Sequence, residues 1–526
     1  MNPTQPGKVF WLVVLAAFWA FFGLTGRGAW QAEEALALGD VLDQLQTGRS
    51  LWATPAPLYT LVASLLARWT PFGLDIQDSA RLASGVFILI GLTAIGLAAR
   101  RLLGRGYGAA ATLALMGGFG LLLRAHAFIP ETALLAAWAM MLWGLGWSHA
   151  RPKAGGVIMG LSLAALTLGL RGMPDLVAGL AVMLLPLAFR PWRERPYRQA
   201  LMLALGLGGG LIVAGLALIT SSGQGAAWLE WHGIGRFAPN LPVTRLFSEL
   251  AWFAWPLWPL ALAAVWHDHR RLGRSRELHL PLVVLAVLAL AALMPAWSRL
   301  GGLLPLLLPL ALLAAQALAH LRRGAAQAFY WFGVLCFLFF ALAFWVYFAA
   351  IEWGIPAKLA AHVAKLTPLY AQGSVDSSAI WLAAVTTLVW LVAIPLFPRA
   401  QTRPVLVWST GMLLVWVLLA ALFRPWAEAG WGYRPLVEEI ARRVPAADCM
   451  ETRVDPAMDA MVRYHLADRL QAPPTAGCAW RLSLEPRRKG DVVQVPPDTS
   501  ALRVVWEGAR PRYKNQVYRL ERLRDE

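Results

Sequence analysis

The sequence predicts a polytopic α-helical membrane protein carrying a small α/β domain at its C-terminal end. Three observations predict it. The chain is 58% hydrophobic and 15% charged, against roughly 25% charged in soluble proteins. Apolar runs of about 20 residues, the length a helix needs to cross a bilayer, recur from Val9 to residue 423. Residues 424–526 then change to a mixture of amphipathic and alternating segments.

About 13 spans are expected from hydropathy. Their cores are 9–26, 82–99, 108–123, 131–147, 155–170, 173–189, 200–220, 251–266, 280–295, 302–319, 328–350, 379–397 and 404–423. The first follows Lys8 and lacks a small-residue cleavage site, which predicts a retained helix. Short basic loops such as "SHARPK", "RPWRERPYRQ" and "HDHRRLGRSRELH" follow every second span. The positive-inside rule puts them and the N-terminus in the cytoplasm. A first loop (27–80), the segments 221–250 and 351–378, and the tail then lie on the opposite face. The same distribution accounts for the net charge of +17 without nucleic acid, whose binding would cluster the basic residues on one surface.

The domain organisation is therefore a membrane domain, 1–423, and an outer domain, 424–526. In the tail, helix-like "YRPLVEEIARRV", strand-like "DCMETRV" and helix-like "PAMDAMVRYHLADRL" precede three extended stretches, "CAWRLSLEP", "LRVVWEG" and "QVYRLERL". That order predicts a small α/β fold. Cys449 and Cys478 lie in it and could pair if it faces an oxidising compartment; their spacing leaves both states open. Cys336 sits in an apolar run as a small core residue.

Charge beside membrane helices is costly and marks candidate sites. On the outer face it is sparse: Arg27, Glu33, Glu34, Asp40, Asp43, Arg49, Asp75, Asp78 and Arg81 in the first loop, then Arg124, His126, Glu131, Arg171, His232, Arg236 and Arg299. Arg81, at a helix start, reads as an interfacial anchor, and the loop aspartates as solvated or capping residues. His126 reads as a loop histidine, since no metal-spaced cluster accompanies it. The remaining carboxylates and guanidiniums suit a phosphate-linked substrate: arginine forks hold phosphate, and a carboxylate can orient or deprotonate an acceptor. No G-x-x-x-x-G-K-[ST] loop occurs, which argues against nucleotide-driven chemistry.

Several stretches, taken in order, resemble the polyprenyl-phosphate-dependent GT-C glycosyltransferases, above all the lipid A aminoarabinose transferase branch, with the protein O-mannosyltransferases as relatives. They are "EEALA", "TGRSLWATPAPLY", "RRLLGRGYGAAATLAL", "LTLGLRGMPDLVAGL", "WHGIGRFAPN…WFAWPLWPLAL" and "SRLGGLLPLLLPLALLAA". The resemblance implies a GT-C-like membrane domain, helices in the first outer loop and an outer α/β domain. It implies an inverting transfer from a polyprenyl-phosphate-linked sugar to a glycolipid or protein acceptor, in a bacterial inner membrane with the tail in the periplasm. The family's two important aspartates fall on Glu33 and Glu131. Arg236 is implied at the carrier phosphate, with Arg171 and Arg299 beside it; Glu34, His126 and Tyr59 join the substrate-binding set. The family's phosphate-contacting lysine falls on Pro55, and a family tyrosine on or near Gly302, so the lipid-phosphate contacts carry over in part. No cofactor is required; a divalent metal bridging the acids is compatible with the chemistry. A transporter or flippase for an anionic or lipid-linked substrate would also use outer arginines, but the long first loop and outer domain disfavour it. An inactive lipid-binding relative fits the lost lysine and tyrosine.

Overall fold

The structure is a computed structural model that describes residues 6–233, 243–272, 274–293, 301–446, 448–467, 478–486, 502–513 and 515–523. Arg236 and Arg299 lie outside the described residues. Each expected span core overlaps a helix or a broken helix among the described residues. Seven helices among the described residues are long and apolar enough to cross a membrane, or up to nine if two sharply bent pairs each count as one span. Shorter apolar helices cover 9–21 and 173–188.

The chain forms two compact units, the first from 1–25, 48–341 and 385–417, the second from 26–47, 342–384 and 418–526. In the first unit the two bent pairs replace continuous spans expected at 108–123 and 251–266. Gly108–Met116 and Phe119–Ala125 meet at 69°, and Val243–Phe253 meets the following helix at 100°. The glycine pair 117–118 weakens the first helix, and Trp408 presses against the break: a Cβ on Gly117 would lie 2.7 Å from its ring. A broken helix in an apolar setting must re-satisfy its backbone. Trp408 Nε1 donates to the Gly117 carbonyl at 2.8 Å and Ser409 Oγ to that of Leu113 at 2.6 Å. At the second break Pro259 has no N–H to give to the Trp255 carbonyl four residues before it, and that carbonyl accepts from Phe119 N at 3.0 Å. Each broken span thus caps the other.

Arg81 corrects the expectation of an interfacial anchor. It is fully buried, and its guanidinium donates to the Leu24 carbonyl at 3.1 Å and to Asp78 at 3.0 Å. These partners remove the need to reach water. Asp75 caps the same helix, Ile76–Leu102, by accepting from Asp78 N at 2.7 Å.

In the second unit the tail forms the expected elements: helix Arg434–Arg443, strand β1 (Met450–Arg453), helix Pro456–His465, then β2 (Trp480–Pro486), β3 (Leu502–Gly508) and β4 (Gln516–Leu523). The sheet order is β1-β2-β4-β3. β1 and β2 pair in parallel across the helical crossover, while β4 pairs antiparallel with both its neighbours. Met450, Met458, Met461, Leu482, Tyr518 and Leu520 fill the core. Cys449 and Cys478 form a disulfide at the feet of β1 and β2. The helix Ala32–Gln46, from the first loop, packs on Pro456–His465. Gly39 permits the approach, since a Cβ there would lie 3.0 Å from the Ala460 Cβ, and Asp43 pairs with Arg463.

Candidate functional site

Glu131 opens the helix Glu131–Trp147 in the first unit and is 1% exposed. A carboxylate at a helix N-terminus is favoured by the helix dipole. The stretch leading to it is held from three sides. His126 Nε2 donates to the Trp19 carbonyl at 2.7 Å, and its ring stacks on Trp416 at 3.8 Å. Trp416 Nε1 in turn donates to the Phe22 carbonyl at 2.7 Å. Tyr59 bonds Ser84 Oγ at 2.7 Å, and Ser84 donates to the Ala127 carbonyl at 2.8 Å. Tyr59 also packs on Phe87 and Phe128. His126 and Tyr59 were expected in the substrate-binding set. Both are buried and hydrogen-bonded within the protein, and these bonds help fix the backbone that enters Glu131.

Arg171 lies at the end of the helix Pro152–Gly169, just before Met173–Leu184. It is 7% exposed. Its Nη2 reaches the Ala291 carbonyl at 3.5 Å, and its Nη1 lies 3.9 Å from Asp175. Asp175 is fully buried and was not singled out from the sequence, although its four-residue spacing from Arg171 is the signal for such a pair. Gly172, at φ +80°, makes the turn between the helices, and His232 sits directly over it: a Cβ would lie 2.4 Å from the His232 Cβ. His232 stacks on Trp228 and bonds the Trp228 carbonyl at 3.0 Å.

Glu33 and Glu34 belong to the second unit, in the first turn of Ala32–Gln46. They face different surroundings. Glu34 is 2% exposed. It grips Arg27 with both oxygens, at 3.0 and 2.5 Å, and accepts from Trp30 N at 2.9 Å. The Arg27 guanidinium lies 4.5 Å over the Trp30 ring. Glu34, expected in the substrate-binding set, is thus held in a bidentate ion pair. Glu33 is half-buried. Glu428, which sequence reasoning missed, completes the turn by accepting from Gly28 N at 3.0 Å and from the Trp30 indole at 2.6 Å. No group of three or more His, Cys, Asp or Glu side chains among the described residues could hold a metal ion.

The architecture, compared with known structures, decides the fold. The crystal structure of ArnT from Cupriavidus metallidurans bound to undecaprenyl phosphate superposes with a TM-score of 0.64 over 98% of each chain, at 16% identity. Its apo state gives 0.65 over 98% of each chain, again at 16% identity. The fold is that of ArnT. The fold class expected from the sequence is thereby met over nearly the whole chain. No protein-family model and no curated protein matches the sequence. The likeness to ArnT thus resides in backbone architecture, while 16% identity leaves side chains free to have diverged.

Proposed function

We propose that this protein is a membrane glycosyltransferase that moves a sugar from a polyprenyl-phosphate carrier to an envelope acceptor, in a bacterial inner membrane with its C-terminal domain in the periplasm. The observation that carries the proposal is the ArnT likeness over 98% of both chains, one of those ArnT structures holding undecaprenyl phosphate. The acids that the family pattern requires are present as Glu33 and Glu131.

In the reaction, an acceptor oxygen attacks the anomeric carbon from the face opposite the carrier. The bond from that carbon to the phosphate oxygen breaks, and polyprenyl phosphate leaves with the electron pair. The protein's task is alignment and stabilisation of the leaving charge. By the family resemblance Arg236 serves the phosphate, Arg171 and Arg299 being the further candidates, and Glu33 or Glu131 receives or orients the acceptor proton. A hydroxyl acceptor requires that base; an ionised phosphate acceptor requires alignment alone. Glutamate in place of both family aspartates adds a methylene at each position and shifts selectivity toward a different sugar or acceptor.

Purified protein is incubated with radiolabelled polyprenyl-phospho-sugars and envelope lipids, and the products are resolved. Glu33→Gln and Glu131→Gln are expected to lower turnover by about 10²–10⁴-fold where the carboxylate acts as a base. Intact turnover in both variants removes the carboxylates from the chemistry. A Glu33→Asp, Glu131→Asp double variant that keeps full activity and the same product disproves that shift.

A further inference from the structure

The second unit contains a cavity of about 850 Å³ whose chemistry the transfer reaction does not use. Of the eleven residues that line it, three are cationic, Lys365, Arg510 and Arg512, and none is acidic. Such one-signed lining focuses the field on an anion.

Arg510 is the built part of the site. It is 3% exposed. Its Nη1 donates to the carbonyls of Trp30 and Trp431 at 3.4 and 3.3 Å, and its Nη2 to Gln516 Oε1 at 3.3 Å. All these acceptors are neutral. Among the described residues no carboxylate pairs with it and its Nε has no partner. Tyr433 and Tyr513 each pack on the guanidinium, at 3.8 and 3.9 Å. Burial, and then the charges of Asp455 and Glu33, push the Tyr433 phenol up to about 12 against the pull of Arg510, so that ring is neutral and does not cancel the charge. A buried cation with no direct ion pair is costly, and an anionic ligand would neutralise it. Arg512 and Lys365 are exposed and can close on such a ligand from the rim.

The neighbouring cavity supplies the other half. It measures about 350 Å³, shares Pro368 with the first, and is lined largely by apolar groups, among them Ile351, Val363, Ala364 and Trp426. Arg512 joins the two, lying 5.0 Å from the Trp431 ring and 6.0 Å from that of Trp426. The same segment exposes Trp353, Ile355 and Leu369, apolar side chains suited to a bilayer surface. A basic chamber joined to an apolar one matches an amphiphile with a phosphate at its head.

We propose that these paired cavities bind a phosphate-bearing lipid, the phosphate among Lys365, Arg510 and Arg512 and the hydrocarbon against Trp426 and Val363. The site goes beyond the transfer reaction and is tested without it. Full-length protein in phosphatidylcholine nanodiscs is titrated, at about 0.15 M salt, with dioctanoyl phosphatidic acid, dioctanoyl phosphatidylcholine or inorganic phosphate. Tryptophan fluorescence and calorimetry follow binding. Phosphatidic acid should bind at least tenfold more tightly than either of the others. The Lys365→Ala, Arg512→Ala double variant, altered only at exposed positions, should weaken it by about ten- to a hundredfold without changing the unfolding midpoint. Trp426→Ala should weaken phosphatidic acid and leave inorganic phosphate unchanged. Equal affinity for phosphatidylcholine overturns the anion site, as does an unchanged affinity in the double variant. Inorganic phosphate binding as tightly as phosphatidic acid overturns the lipid. None of these results bears on sugar transfer, which is read in the separate product assay.

Discussion

Replacing Glu34 with glutamine tests the division of labour between two adjacent acids. The side chains of Arg27 and Glu34 are 5% and 2% exposed, so the pair sits almost wholly out of water. Glutamine keeps the shape but removes the charge, leaving the Arg27 guanidinium buried without its counter-ion. Breaking one side of a buried pair costs about 3–5 kcal/mol. For a unit of about 150–250 residues each kcal/mol moves the midpoint by about 2–4 °C, so a fall of roughly 6–20 °C is expected. Thermal unfolding of the full-length protein in detergent, followed by tryptophan fluorescence, measures it. Glu33→Gln, one residue away and half-buried, should stay within about 0.5 kcal/mol of wild type while losing sugar transfer. The double variant Arg27→Met, Glu34→Leu should recover most of the lost stability, because apolar replacement removes both desolvation costs together. If Glu34→Gln unfolds at the wild-type midpoint, or if Glu33→Gln falls as far as Glu34→Gln, the assignment of Glu34 to scaffold and Glu33 to chemistry is wrong.

Gly172→Ala should cost about 2–5 kcal/mol, from backbone strain at φ +80° and a Cβ placed 2.4 Å from that of His232; an unchanged midpoint would refute the close approach. Reduction of the Cys449–Cys478 bond, with a sequence separation of 29, should remove about 3.5 kcal/mol in the chain-entropy account. Reductant should lower the midpoint of the wild type and leave that of a Cys449→Ser, Cys478→Ser double variant where it was. Tyr59→Phe deletes the hydroxyl bonded to Ser84 and should cost about 0.5–1.5 kcal/mol. Ser84→Ala also frees the Ala127 carbonyl and should cost more, about 1–3 kcal/mol, which paired midpoints distinguish.

Hydropathy and turn chemistry are local properties, and what depends on them was legible along the chain. The helical cores fall where apolar runs of spanning length lie, and the helix and strand order of 434–523 follows the alternation and turn residues of the tail. The candidate acids were legible as charges beside apolar runs, and the ordered loop motifs pointed to the architecture that ArnT shares. Partners were not legible, because packing chooses them. Gly28 meets Glu428 across 400 residues of chain, and Asp43 meets Arg463 across 420. No window of sequence contains such pairs. Equally, nothing local in "AEEALALGD" separates Glu33 from Glu34; burial against Arg27 and Trp30 does. Nor does any window show that His126 meets the Trp19 carbonyl or that Tyr59 meets Ser84. The breaks at Gly117 and ahead of Pro259 have local causes. Their persistence as bent pairs depends on Trp408, Ser409 and Phe119, which arrive from elsewhere in the first unit to satisfy the freed carbonyls. Lys365 stands far along the chain from Arg510 and Arg512, and folding is what brings it to their basic cavity.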